Sequence, residues 1–155
     1  MIEKIRGFEA VTPEMAKTSL PAQLPQQGTK ESAGFDFFSQ EEVSIYPGQT
    51  HLFWSDVKSY MQSGEVLKIY VRSSIGIKKG LVLCNSVGIV DCDYYSNPKN
   101  DGNIGICLRN LSDKIANIDI GEGIAQGIFQ TFLMSDNGRS EEIRTGGIGH
   151  TNDKQ

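Results

Sequence analysis

Cysteine and histidine are scarce in this chain. Its 155 residues hold only Cys84, Cys92 and Cys107, and only His51 and His150. An odd cysteine count with no close CxxC spacing excludes a disulfide framework and an ordinary zinc site. The three thiols are expected as small buried hydrophobes in a reducing cytosol. The two histidines stand far apart and form no metal-ligand motif. Long apolar runs are absent too, so no window approaches a membrane span. No apolar stretch follows Met1-Ile2-Glu3-Lys4-Ile5-Arg6, so no signal peptide is read there. A cytoplasmic protein with no membrane partner is expected. An excess of positive charge is lacking as well. Fifteen Lys and Arg against nineteen Asp and Glu leave a net charge of −4. That argues against a sequence-independent grip on nucleic acid, while leaving room for a local cationic pocket. Amphipathic helical periodicity is rare, and only residues 13–20 and 55–62 suggest short helices.

What the chain does have is strand pattern. Short apolar or alternating segments recur: Phe35-Asp36-Phe37-Phe38-Ser39, Val43-Ser44-Ile45-Tyr46, residues 51–54, and Val66-Leu67-Lys68-Ile69-Tyr70-Val71. Ile104-Gly105-Ile106-Cys107-Leu108, residues 115–120 and residues 124–133 continue the series. Gly, Pro, Asn and Asp separate them, as in Pro47-Gly48 and the turn-forming loop 97–103. Many evenly spaced strands with little helix predict an all-β fold, a jelly roll or β-barrel. Residues 1–32 are polar and carry Pro13, Pro21 and Pro25, so they are expected to be extended or irregular. One β domain over residues 1–143 is expected, followed by a flexible Gly-rich tail over 144–155.

The densest chemistry lies in Leu83-Cys84-Asn85-Ser86-Val87-Gly88-Ile89-Val90-Asp91-Cys92-Asp93-Tyr94-Tyr95. Apolar flanks around Asn85-Ser86-Val87-Gly88 predict a β-hairpin whose polar groups face inward, with a carboxylate at its exit. Asp91 follows the apolar pair Ile89-Val90, where a carboxylate needs a partner, a water or a task. Arg72-Ser73-Ser74, at a strand end, combines a guanidinium with two hydroxyls suited to phosphate oxygens. Gln126 offers a donor and an acceptor at a strand start. The tail resembles a phosphate loop but lacks the Lys of a Walker A motif and a strand–helix frame. It still offers amides and the cation Arg144.

Taken in order, these segments resemble the trimeric deoxyuridine triphosphatases, the dUTPases. Five short family motifs have counterparts over roughly residues 24–151. They are Ala33-Gly34-Phe35-Asp36-Phe37, Val71-Arg72-Ser73-Ser74, Gly88-Ile89-Val90-Asp91-Cys92-Asp93-Tyr94, Gly121-Glu122-Gly123-Ile124-Ala125-Gln126, and Arg144-Thr145-Gly146-Gly147-Ile148-Gly149-His150-Thr151. Departures are visible. Ser74 stands where the family usually has Gly, Gly123 where it has a basic residue, Ile148 where it has an aromatic, and His150 where it has Ser. Ile148 can cover a ring by dispersion but cannot stack on it.

The resemblance implies Mg²⁺-dependent hydrolysis of dUTP to dUMP and pyrophosphate. Asp91 takes the place of the general base. Asn85 and the backbone of Gly88, Ile89 and Val90 would read uracil, and Tyr94 would pack under the deoxyribose. Arg72, Ser73, Ser74, Gln126 and Arg144 would bind phosphates. Ile148, Gly149, His150 and Thr151 would close over the substrate from a neighbouring subunit. Asp36 would touch the metal only through water. The resemblance also implies a homotrimer with sites at subunit junctions. The nearest alternative enzyme on this fold is dCTP deaminase, but Cys107 stands where that family needs a catalytic Glu. A non-catalytic nucleotide-binding regulator would keep Arg72 and Tyr94 and could discard Asp91.

Overall fold

The alternation seen in the sequence becomes sheet in a computed structural model that describes residues 2–149. Twelve strands occur among the described residues: β1 (Gly7–Ala10), β2 (Gln26–Gln27), β3 (Phe35–Phe38), β4 (Val43–Ile45), β5 (Thr50–Trp54), β6 (Val57–Tyr60), β7 (Glu65–Val71), β8 (Leu81–Leu83), β9 (Gly88–Asp91), β10 (Gly105–Asn110), β11 (Ala116–Ile118) and β12 (Gly123–Thr131). A single α-helix among the described residues, α1 (Ser73–Lys79), follows β7. The expected all-β jelly-roll class holds. None of the helices among the described residues is long and apolar enough to cross a membrane.

The largest sheet runs β2-β3-β12-β7-β9, and a second runs β5-β10-β8. Two-stranded pairs β1-β6 and β11-β4 complete the architecture. All pairings are antiparallel. Their inner faces enclose one core that includes Phe37, Phe53, Leu67, Ile75, Leu81, Ile106 and Ile124. Burying side chains of this size stabilises by about 1.5–3 kcal/mol each.

Three expectations are corrected. The predicted helix at 55–62 is strand β6. Val57, Lys58 and Ser59 are all buried there, so both faces are covered and the polar/apolar alternation disappears. The predicted helix at 13–20 is only a 3₁₀ turn, Pro13–Met15. Within residues 1–32, expected to be extended or irregular, Gly7–Ala10 is an extended strand that pairs with β6. Finally, β8 and β9 do not pair with each other. β8 pairs with β10, whereas β9 pairs with β7. The stretch expected as a hairpin is therefore a corner that passes from one sheet to another.

Candidate active site

The corner is tightened by Ser86 N donating to Leu83 O at 3.1 Å and Val87 N donating to Asn85 O at 2.7 Å. Ser86 adopts φ 63°. Gly88 then enters β9 opposite Ile69, and a Cβ at this position would lie 2.9 Å from Ile69 Cβ. Only glycine permits that approach. β9 ends at Asp91, and a 3₁₀ turn over Cys92–Tyr94 follows at once.

A cavity of about 490 Å³ opens where the two sheets meet at this corner. Asn85, Gly88, Ile89, Val90, Asp91 and Tyr94 line it, as the sequence predicts. Arg144, Ile148 and Gly149 line it as well, from the same chain, whereas the resemblance implies that Ile148 and Gly149 reach the site of a neighbouring subunit. A cavity of this size, apolar with a few convergent polar groups, suits a small organic ligand. His150 and Thr151, also predicted for the site, lie outside the described residues.

Arg144 carries the strongest electrostatic contacts. Its Nη2 donates to Asp91 Oδ2 at 2.7 Å, and its Nε donates to Asp93 Oδ1 at 2.8 Å. The guanidinium carbon also stands 5.9 Å from the centre of the Tyr94 ring. Tyr94 is half-buried, and its hydroxyl donates to Asn103 O at 2.6 Å. Burial raises the phenol pKa, against the opposing effects of Asn100 and Arg144.

The other predicted phosphate ligands form a separate cluster. Arg72 stands at the N-cap position of α1 without a capping side-chain bond, and Ser73 and Ser74 lie in the first turn. Arg72 Nε lies 3.3 Å from Asp36 Oδ1, and Nη1 donates to Gly123 O at 3.2 Å. A Cβ at Gly123 would collide with the Arg72 guanidinium. Gln126 is in register with Asp36 and packs against Gly34. None of Asp36, Arg72, Ser73, Ser74 or Gln126 lines the cavity. Strand β7 gives the spacing: Val66 is opposite Asp91, and Arg72 follows six residues on (72 − 66). That is about 20 Å along a strand.

The expectation that all three cysteines are buried hydrophobes is also corrected. Cys84 is exposed, all three are free thiols, and Cys84 and Cys107 face each other across the cavity wall. Burial, followed by the neighbouring Cys84, pushes the Cys107 thiol up to about 11. His51 is engaged structurally, with Nε2 2.7 Å from Glu41 Oε1 and its ring edge-on to Phe53. Among the described residues no group of three or more His, Cys, Asp or Glu could hold a metal ion.

Sequence reasoning missed the apolar lining supplied by Leu52, Ile69, Leu83 and Ile106. It also missed the asparagines behind Tyr94. Asn100 Nδ2 donates to the Tyr94 hydroxyl at 2.9 Å, and Asn97 Nδ2 donates to Tyr94 O at 2.8 Å. Three asparagines within a seven-residue loop were the available signal, because a solvated turn does not need so many side-chain amides.

An all-β fold with a carboxylate, an amide and a tyrosine around one cavity at a sheet corner defines a small-ligand site of nucleotide-enzyme type. The dUTPase family model matches residues 21–152, and the chain belongs to that family. The deoxyuridine 5'-triphosphate nucleotidohydrolase of Lactococcus lactis subsp. lactis (strain IL1403) is 46% identical over 150 residues. That match spans 96% of this chain and 98% of the relative. The crystal structure of dUTPase from Streptococcus mutans superposes with a TM-score of 0.75 at 41% identity, covering 84% of this chain and 99% of that one. A mutant dUTPase from phage phi11 of S. aureus shares the fold, with a TM-score of 0.67 at 22% identity. It covers 89% of this chain and 97% of its own, and its structure describes the coordination of a structural Mg(II) ion.

Proposed function

We propose that Asp91 activates the water with which this dUTP diphosphatase splits dUTP into dUMP and pyrophosphate. The observation that supports this most is that Asp91 lines the same cavity as Asn85 and Tyr94. Water is a poor nucleophile, and a positioned carboxylate contributes a factor of about 10²–10⁴. Asp91 takes the proton as the water oxygen attacks, and the bond that breaks is the α–β phosphoanhydride. Arg144 Nη2 holds Asp91 Oδ2 in this structure. A triphosphate offers that guanidinium more charge than the carboxylate does, so its arrival frees the oxygen that receives the proton. Arg144 then neutralises charge on the phosphates as the bond breaks.

Uracil enters the corner, where Asn85 and the backbone of Gly88, Ile89 and Val90 read its hydrogen-bonding edge. Cytosine reverses that donor–acceptor pattern at one position, and a buried set of this kind rejects it strongly. The deoxyribose lies over Tyr94, which leaves no space for a 2′-hydroxyl. Ile148 and Gly149, which line the cavity, close over the base as a lid.

Mg²⁺ supplies charge neutralisation on the triphosphate. The ion would be held mainly by phosphate oxygens and water, and Asp36 would hold it through water, because Mg²⁺ keeps several waters. Arg72, Ser73, Ser74 and Gln126 grip the phosphates from a second chain. The separation of about 20 Å along β7 supports that division, and a homotrimer with sites at its junctions satisfies it. Cys107, on the cavity wall where a deaminase would need a glutamate, speaks against deamination.

The test is product release from purified protein with Mg²⁺. Pyrophosphate should leave dUTP much faster than dCTP, dTTP or UTP. Ammonia from dCTP with no pyrophosphate would overturn the proposal in favour of the deaminase.

A further inference from the structure

The loop 97–103 lies directly behind Tyr94, and its side chains converge on one residue. Asn100 Oδ1 accepts from Asn97 Nδ2 at 2.7 Å and from Gly102 N at 3.0 Å. Its orientation is fixed by those two bonds, because an amide oxygen held by donors leaves the NH₂ only one direction. That direction is the Tyr94 hydroxyl, 2.9 Å away. The same hydroxyl donates to Asn103 O at 2.6 Å, so the tip of the ring is held from two sides. Asn97, itself buried, fixes the backbone of Tyr94 through its carbonyl.

Asn100 has a second neighbour. Gly146 and Gly147 are buried although the tail around them is largely exposed. A Cβ at position 147 would lie 2.6 Å from Asn100 Nδ2. The tail therefore lies directly on the Asn100 amide, and glycine is what permits that seat. One side chain touches the ring under the sugar and the strap that closes the cavity.

We infer that Asn100 is a positioning residue that sets Tyr94 against the sugar and seats Gly147, so that selection against ribose and closure of the tail depend on one amide. This rests on the proposed dUTP site. Asn100 itself touches no reacting atom. It acts through Tyr94 and through the glycine pair.

The experiment compares kcat/KM for dUTP and for UTP in wild type, Asn100→Asp and Asn100→Ala. Asn100→Asp keeps an oxygen for Asn97 and Gly102 and loses the donor to Tyr94. It should retain the wild-type thermal midpoint while the dUTP-to-UTP ratio falls by up to about tenfold, the scale of one hydrogen bond. In a Tyr94→Phe background the same substitution should change the ratio no further, because the hydroxyl it served is gone. Gly147→Ala should raise KM for dUTP in the wild-type chain, and should cost less when Asn100→Ala removes the amide its methyl would strike. A wild type that prefers dUTP, with an Asn100→Asp variant that prefers it equally, overturns the inference about Asn100 alone. A wild type that does not discriminate dUTP from UTP overturns the sugar site, and the role of Asn100 with it. Strictly additive penalties for Gly147→Ala and Asn100→Ala overturn the seat.

Discussion

Arg144 reaches back over 53 residues to place its Nη2 on Asp91 Oδ2 at 2.7 Å. The tail's cation thus rests on the carboxylate assigned to activate water. Asp91→Asn should keep nucleotide binding, measured calorimetrically, while turnover falls by about 10²–10⁴. Undiminished turnover would remove Asp91 from its role.

The tail is expected to matter for chemistry and not for the fold. Deleting residues 145–155 should lower kcat/KM by about 10²-fold, the scale of a substrate held loosely. The thermal midpoint should stay near that of the full chain, since the core around Phe37, Leu67 and Ile106 lies elsewhere. Wild-type rates from the truncated chain would end the idea of a lid.

Division of the site between chains has its own signature. Asp91→Asn and Arg72→Ala chains, each inactive alone, should recover activity when co-assembled. Random assortment at a junction of two neighbours gives about a quarter of the wild-type rate. No recovery in verified mixed oligomers would place both halves in one chain.

Asp101 predicts a pH dependence of stability. Burial acts to raise its carboxyl, but the Thr12 amide and the Lys58 ammonium outweigh burial and hold it below its usual 3.8. Lys58 Nζ donates to Asp101 Oδ1 at 3.0 Å, and Thr12 N donates to Oδ2 at 2.8 Å. A depressed folded value means that the unfolded chain binds the proton more readily. The contribution is therefore complete above the unfolded value and is lost as pH falls through the lower folded one. Asp101→Asn should lower the thermal midpoint at pH 7, and the gap to wild type should narrow as pH falls below the usual carboxylate value of 3.8 and through the lower folded one. A gap that stays constant throughout that acid limb would contradict the assignment.

Gly88→Ala tests the corner itself. The added methyl would press on Ile69 Cβ from 2.9 Å. Overpacking of this kind costs about 1–3 kcal/mol. Denaturant unfolding should show that loss, and KM for dUTP should rise as the wall of the cavity shifts. An unchanged midpoint and KM would mean that β9 can move away from β7 freely.

The sequence carried most strands because their period survives where only one face is buried, as in Val43–Ile45 and Gly105–Asn110. It failed at Val57–Tyr60, where Lys58 is buried by its ion pair with Asp101 and no alternation remains. Val57, Tyr60 and Met61 then fall at helical spacing by coincidence. Helix α1 was missed although Lys78 and Lys79 in its last turn and Gly80 at φ 66° form an ordinary helix end. Among site residues, Asn85, Asp91 and Tyr94 were legible because they lie close together in sequence. Asn100 was not, because its meaning depends on Gly147, 47 positions later (147 − 100). Nor could local pattern show that β8 and β9 take different partners, since pairing is decided by β7 and β10.

That difference in partners has a mechanical consequence. The corner is a seam: one side of the cavity belongs to the sheet of β8 and β10, the other to the sheet of β7 and β9. A molecule lodged there acts as a rivet through both. Opening the seam requires expelling it, so occupancy should be felt as resistance to unfolding that grows by RT ln(1 + [L]/Kd). Heat stability then becomes a gauge of how full the pocket is, readable even in a chain that can no longer turn over.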